Sequence, residues 1–260
     1  MAQLSEVVMV RGVLLDISGV LYQDDEPLPG AVAAVQKLQQ AGIDFRLLTN
    51  TSRRTAEAIY YDLKRMGFAI SERQLYTAPR AMLDYLQKHN LRPYCLMHPN
   101  LDPEFARLNH TNPNAVVVCD AGERFDYKGL NKAFQVLMND DAKLLAIGEN
   151  RYFRSRNRLQ LDAGPFVKAL EYASGKQAVV LGKPAPAFFD SALASLGLPA
   201  DEVLMIGDDV EADVNGALQA GLRACLVKTG KYLEGDESRA PDGLLADDLL
   251  QAVEEFTVTA

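Results

Sequence analysis

Four short polar clusters each stand directly behind an apolar run of the chain. Asp16-Ile17-Ser18-Gly19 follows VVMVRGVLL, and Thr49-Asn50-Thr51-Ser52 follows FRLL. Gly182-Lys183-Pro184 follows AVVL, and Gly207-Asp208-Asp209 follows VLMI, with Asp213 a helical turn further on. Brought together, the clusters offer two carboxylates, a hydroxyl and an ammonium. Two carboxylates completed by water make a hard-oxygen site that suits Mg²⁺. The hydroxyl and main-chain donors of Thr49–Ser52, read as a helix start, suit phosphoryl oxygens. Lys183 would neutralise charge on both a carboxylate and a phosphoryl group. Such a set serves phosphoryl transfer to an aspartate nucleophile.

Each cluster alone has an ordinary structural explanation. Asp16 reads as a turn or cap residue, Thr49 as an N-cap, and Lys183 as a solvated lysine at a helix start. Asp208 and Asp209 read as first-turn acids that complement a helix dipole. The weight lies in all four occurring in order, each at the end of a strand-like run.

Ligands of open parallel sheets bind beyond the carboxyl ends of the strands, so the elements before these clusters must be neighbouring parallel strands. The pattern supports this. Val7–Leu15 reads as a first strand, apolar almost throughout, as in a sheet covered on both faces. A helix with Val32, Val35 and Leu38 on one face ends at Gly42. Phe45–Leu48 is a second strand, and Ile59, Leu63 and Met66 mark a second helix that stops at Gly67. The alternation resumes with strands at Ala178–Leu181, Val203–Ile206 and Leu222–Val227, and a helix over Phe188–Leu196.

Residues 80–177 carry their own alternation. Strands are expected at Pro93–Met97, Ala115–Cys119 and Leu144–Ile147, and helices at Gly129–Met138 and Val167–Tyr172. The expected architecture is therefore α/β: a doubly wound parallel-sheet core formed by 1–79 and 178–260, with an α/β cap inserted at 80–177.

The ordered set DISGV, LLTN, GKP and GDDVEAD resembles the four motifs of the haloacid dehalogenase (HAD) superfamily, and the inserted section resembles its large α/β cap class. More narrowly, VRGVLLDISGVLY, HTNPNAVVVCDAG, NKAFQVLM, GPFVKALEYA and VLMIGDDVEADVNGA resemble two related groups equally. These are the phospholysine phosphohistidine inorganic pyrophosphate phosphatase family and the haloacid dehalogenase-like hydrolase domain-containing protein two group. The resemblance runs from Val10 to about Ala252. It implies Asp16 as nucleophile and Mg²⁺ ligand, Ser18 as metal ligand through its carbonyl, and Asp208 as second carboxylate ligand. It implies Thr49, Asn50 and the Thr51 amide as phosphoryl binders, and Lys183 as the residue that holds the aspartyl phosphate. Asp209 and Asp213 match acidic positions that orient metal-bound water.

One departure from the superfamily bears on the substrate. Its phosphatases usually carry an Asp two residues after the nucleophile as general acid and base; here that position is Ser18, as in the narrower family. General acid–base catalysis is worth roughly 10²–10⁴-fold, so ordinary phosphate esters should react slowly. Leaving groups that bring their own proton or depart as stable anions should suffer less. N-phosphorylated compounds, pyrophosphate and imidodiphosphate belong to this class.

The cap would select among them. Asp120, Glu123, Glu149, Asn150, Arg151 and Tyr152 follow the ends of cap strands, and each reads equally well as a solvated loop residue. Arg151 has the best chemistry, because a guanidinium suits a distal phosphate. The stretch Arg151–Arg158 reads equally as a charged exposed loop.

Composition narrows the class further. With 27 basic and 35 acidic residues the formal net charge is −8, which argues against sequence-independent nucleic-acid binding. No apolar run approaches the roughly 20 residues of a membrane span, and MAQLSEVVMVRG does not read as a secretory signal. Cys95, Cys119 and Cys225 lie in apolar runs and read as buried thiols of a reduced, cytoplasmic protein. His89, His98 and His110 have no zinc-site spacing. Gly182-Lys183 and Gly230-Lys231 do not complete a P-loop, and no GxGxxG follows the first strand. The expectation is a Mg²⁺-dependent phosphatase of small phosphorylated substrates, assembled as a homodimer through the cap. The rival is a phospho-binding or scaffold protein that keeps the Asp–Mg²⁺ site but turns over negligibly.

Overall fold

The computed structural model describes residues 10–155 and 158–257. Within them the chain forms two compact units. The first takes in the described residues of Met1–Thr49, Tyr60–Tyr76 and Lys183–Ala260, and the second those of Asn50–Ile59 and Thr77–Gly182.

A six-stranded sheet organises the first unit, in the order Leu244–Ala246, Arg223–Val227, Val203–Gly207, Gly12–Asp16, Asp44–Thr49 and Leu75–Thr77. The pairings from Leu244–Ala246 across to Asp44–Thr49 are all parallel. Every residue of Gly12–Asp16 and Val203–Gly207 is buried, which is why these segments read as continuous apolar runs rather than alternating ones. The first strand is shorter than the expected Val7–Leu15; Val7–Met9 lie outside the described residues. Helix Ala31–Gln40 buries Ala31, Ala34, Val35 and Leu38, and helix Pro186–Leu196 buries Phe188 and Phe189.

The second unit has a four-stranded parallel sheet in the order Ala178–Val180, Lys143–Ala146, Ala115–Val118 and Pro93–Leu96. Helices Tyr127–Leu137 and Gly164–Ser174 bury Ala133, Leu137, Val167 and Leu170 in a core with Val116, Val118 and Leu144. An antiparallel hairpin, Tyr152–Ser155 with Arg158–Leu161, covers most of Arg151–Arg158, for which an exposed loop is one of two readings of the sequence. Arg151, Tyr152 and Arg158 are exposed; Arg156 and Asn157 lie outside the described residues.

Two expectations are corrected here. The strand at 178 does not belong to the sheet of the nucleophile strand. Ala178–Val180 pairs with Leu144–Ala146, and Leu181 N–H continues the ladder to Ala146 O at 2.8 Å. A three-residue apolar strand carries no mark of which sheet it joins; the partner decides. The compact units accordingly part at Gly182/Lys183 and Tyr76/Thr77 rather than at 177/178 and 79/80, and residues 50–59 group with the second unit. Ser52, Arg53 and Ala56 explain that grouping. Ser52 Oγ accepts from Asp120 N–H at 3.2 Å, Arg53 pairs with Asp120, and Ala56 N–H donates to Glu104 at 2.7 Å.

The second correction concerns the same segment. No helix starts at Thr49–Ser52; the helix is Ala56–Arg65, with the Thr55 hydroxyl accepting from Ala58 N–H at 3.1 Å. Cys95, Cys119 and Cys225 are free thiols, and burial pushes Cys95 and Cys225 up to about 12, far from thiolate reactivity.

Candidate active site

The register of the first sheet builds the site. Asp16 ends its strand opposite Leu48, so Thr49, which ends the adjacent strand, lies one step further along the same rim. On the other side Leu15 pairs with Ile206, which brings Gly207 beside Asp16 and Asp208 just beyond it. Asp16, Thr49 and Asp208 are all buried.

Lys183 enters from the loop ahead of helix Pro186–Leu196. Its ammonium is buried and donates to both Asp16 Oδ1 and Asp213 Oδ1, the latter at 2.6 Å. Asp213 reaches this position because the segment Val210–Asn215 folds back over the strand end, and Asp209 caps it by accepting from Glu211 and Ala212 N–H at 3.1 and 3.0 Å. Asp213 therefore binds the lysine directly, a closer role than the outer position the resemblance implied.

Asp208 is held differently. Its Oδ2 accepts the main-chain N–H of Lys231 at 2.8 Å. Gly19 and Gly230, both at positive φ, press against the same oxygen, and a Cβ on either would overlap it. Its Oδ1 is buried and accepts no hydrogen bond among the described residues. Buried polar atoms are nearly always satisfied, so this oxygen marks a place for an electropositive group. Oxygens of Asp16, Asp208 and Asp213 lie within 4.8 Å of one another. An all-carboxylate donor set of this size fits a hard divalent cation such as Mg²⁺.

The electrostatics agree with that reading. Burial pushes the Asp208 carboxyl up to about 6 against the opposing pull of the Lys231 N–H, with Asp213 adding to the rise. Burial also raises Asp16 and Asp213; Lys183 pulls both back without cancelling the effect. Burial works against the Lys183 charge, but Asp16 and Asp213 outweigh it and keep the ammonium protonated. The cluster holds more negative charge than Lys183 alone neutralises.

Ser18 sits in the turn after Asp16, exposed, in an isolated bridge with Tyr22. Asn50 and Thr51 follow Thr49 in the chain and belong to the second unit. There the Asp120 carboxylate is engaged by Arg53, through Nη2 at 3.1 Å and through Nε, rather than presented as an open acid. Glu149 pairs with Lys168 at 2.8 Å. Glu123, Asn150, Arg151 and Tyr152 are exposed, with Arg151 in the bend before the hairpin. Lys231 is the site residue that the sequence reading passed over. The signal was present: TGK follows the strand Arg223–Val227 at the carboxyl edge that carries the other clusters.

Comparison with known proteins matches this geometry to a family. Residues 13–111 match the haloacid dehalogenase-like hydrolase family model, and residues 180–252 a second, HAD-hydrolase-like model. The chain is 44% identical over 253 residues to human phospholysine phosphohistidine inorganic pyrophosphate phosphatase, covering 94% of this chain and 93% of that protein. This chain belongs to the haloacid dehalogenase-like hydrolases. Within that family it is also 40% identical over 230 residues to bovine haloacid dehalogenase-like hydrolase domain-containing protein 2, covering 88% of each. The solved 4-nitrophenylphosphatase of Thermotoga maritima superposes with a TM-score of 0.86 at 25% identity, over 96% of this chain and 99% of that one. The HAD fold with its cap is thereby shown for this hydrolase. No helix among the described residues is long and apolar enough to cross a membrane.

Proposed function

We propose that this HAD hydrolase is a Mg²⁺-dependent phosphatase that works through an aspartyl phosphate on Asp16 and prefers N-phosphorylated compounds and diphosphates. The observation that carries the reading is the buried convergence of Asp16, Asp208 and Asp213 around Lys183, with Asp208 Oδ1 left unsatisfied among the described residues. Asp16 and Asp208 would hold the cation, with the Ser18 carbonyl as a third ligand. When bound, Mg²⁺ supplies charge neutralisation between the carboxylates and the phosphoryl group.

The chain's own residues account for the two chemical steps. Asp16 attacks phosphorus, and the bond to the leaving nitrogen or oxygen breaks with its electron pair on the leaving group. Thr49, Asn50 and the Thr51 amide would bind the phosphoryl oxygens while Lys183 holds the acyl phosphate. Water then attacks phosphorus, both its hydrogens end on dihydrogen phosphate, and Asp16 is restored. Ser18 cannot donate a proton near neutral pH, so an alkoxide leaving group receives no help. A phosphoramidate amine or a protonated diphosphate carries its own proton. The name of the human relative, phospholysine phosphohistidine inorganic pyrophosphate phosphatase, points to the same substrates.

The test is phosphate release from pyrophosphate, imidodiphosphate and glycerol 2-phosphate, with and without Mg²⁺, beside Asp16→Asn. Expected is Mg²⁺-dependent release from the first two, at least about 100-fold slower release from the ester, and an Asn variant lower by on the order of 10³-fold or more. Faster ester turnover would overturn the substrate class. Mg²⁺-dependent phosphate binding without turnover of any substrate would favour the phospho-binding reading.

Further support bears on assembly and location. Tyr152, Leu159 and Leu161 on the hairpin are more than half exposed, an apolar surface that suits the homodimer expected through this unit and is checked by light scattering. The unpaired cysteines suit a reducing cytoplasm, checked by fractionation.

A further inference from the structure

The loop Lys228–Lys231 leaves the strand Arg223–Val227 at the same carboxyl edge as Asp16 and Asp208. It lies back to back with the turn that follows Asp16. Thr229 Oγ1 donates to Gly19 O at 2.5 Å, and a Cβ on Gly19 would stand 3.0 Å from Gly230 Cα. Lys231 is therefore fixed by its main chain, which donates to Asp208 Oδ2, on the loop that abuts Ser18-Gly19.

Its side chain is placed differently. The ammonium pairs with Asp209 Oδ2 at 3.1 Å while the side chain remains 66% exposed. The lysine end of the pair is exposed although Asp209 is only 28% exposed, so the ammonium can swing to a more highly charged anion at the cost of one half-exposed ion pair. The Lys231 charge is also close enough to pull the Asp16 and Asp208 carboxyls downward.

We infer that Lys231 is the specificity-determining residue for anionic leaving groups, its ammonium exchanging Asp209 for the distal phosphate of a diphosphate-type substrate. The inference rests on the phosphatase reading above and deepens it. Ser18 leaves the site without an acid to protonate a departing oxygen. A cation carried by the adjoining loop stabilises a departing phosphate by charge instead.

The test separates side chain from main chain, because any residue except proline at 231 retains the N–H on Asp208. Wild type, Lys231→Met and Lys231→Arg are titrated calorimetrically with methylenediphosphonate and with methylphosphonate at fixed free Mg²⁺. Losing one charge-assisted contact should weaken methylenediphosphonate binding roughly 10- to 100-fold in the Met variant. Methylphosphonate should change less than about threefold, since it has no distal group, and Arg should recover most of the loss. Equal weakening of both ligands, unchanged methylenediphosphonate binding, or wild type binding neither ligand would overturn the inference. Pyrophosphate turnover by wild type answers the underlying reading separately. Binding through Lys231 without phosphate release would remove the phosphatase reading and, with it, any part of Lys231 in leaving-group specificity, leaving only the distal-phosphate contact.

Discussion

The main-chain N–H of Lys231 donates to Asp208 Oδ2 at 2.8 Å, and this bond decides which carboxylate oxygen remains for a cation. Oδ2 is enclosed by Gly19, Gly230 and that N–H, whereas Oδ1 is buried with no hydrogen-bond partner among the described residues. Asp208 thus adds a buried charge beyond what the buried Lys183 ammonium offsets in the metal-free protein.

Removing that charge should stabilise the metal-free protein at neutral pH. Burial raises Asp208 from 3.8 to about 6, so between these values the folded state binds more protons than the unfolded state. Stability is fully present below the unfolded value and is lost as pH rises through the folded one. A rise of this size corresponds to about 3 kcal/mol. Asp208→Asn should therefore exceed wild type in urea midpoint in EDTA near pH 7.5 and lose most of that advantage near pH 4. With Mg²⁺ the order should reverse, because wild type gains a ligand that the variant lacks. A difference that does not depend on pH would refute the assignment.

Lys183→Met should be among the most damaging single changes in the first unit. The ammonium is shared by Asp16 and Asp213, and its loss leaves two buried carboxylates facing each other. Breaking such a pair costs about 3–5 kcal/mol. Denaturation of the single variants and of the double variant with Asp213→Asn checks this: the double should lose less than the sum of the two. Simple additivity would show that the residues do not interact.

Gly207→Ala tests how Asp213 reaches the lysine. A Cβ at 207 would overlap the Asp213 side chain, so the alanine must push Asp213 away from Lys183. Overpacking of this sort costs about 1–3 kcal/mol, and phosphate release should fall together with stability. A variant with wild-type melting and wild-type turnover would mean that Asp213 is dispensable to the site.

Ser18→Asp should restore a proton donor and base at the position where the superfamily usually has one. Ser18 is exposed, so the turn has room for the larger side chain. Turnover of glycerol 2-phosphate should rise at least tenfold, out of the roughly 10²–10⁴-fold available to such a group. Imidodiphosphate should gain less. A well-folded variant with unchanged rates on both substrates would show that the absent acid does not set the preference.

Asp16, Thr49, Lys183 and Asp208 stood out in the sequence because each follows a strand-like apolar run, and ligand chemistry gathers beyond strand ends. The runs before Asp16 and Asp208 are buried throughout, whereas Ala178–Val180 is half-buried and the run before Thr49 includes half-buried Arg46. The same logic yielded the α/β class, the central strands and the insertion. It could not tell that Ala178–Val180 joins the sheet of Leu144–Ala146, because three apolar residues fit either sheet and only pairing chooses. It also placed a helix start at Thr49–Ser52, whereas Ser52 accepts a long-range bond from Asp120 N–H and the helix begins at Ala56, whose N–H donates to Glu104. Asp213 and the TGK loop stood in the sequence beyond strand ends, but their partners depended on tertiary structure. One reaches Lys183 only because Gly207 leaves space for it, and the other reaches Asp208 through a main-chain N–H that any sequence but proline would supply. Side-chain chemistry is written in residue types, whereas close approach and main-chain donation exist only once the loops are folded against one another.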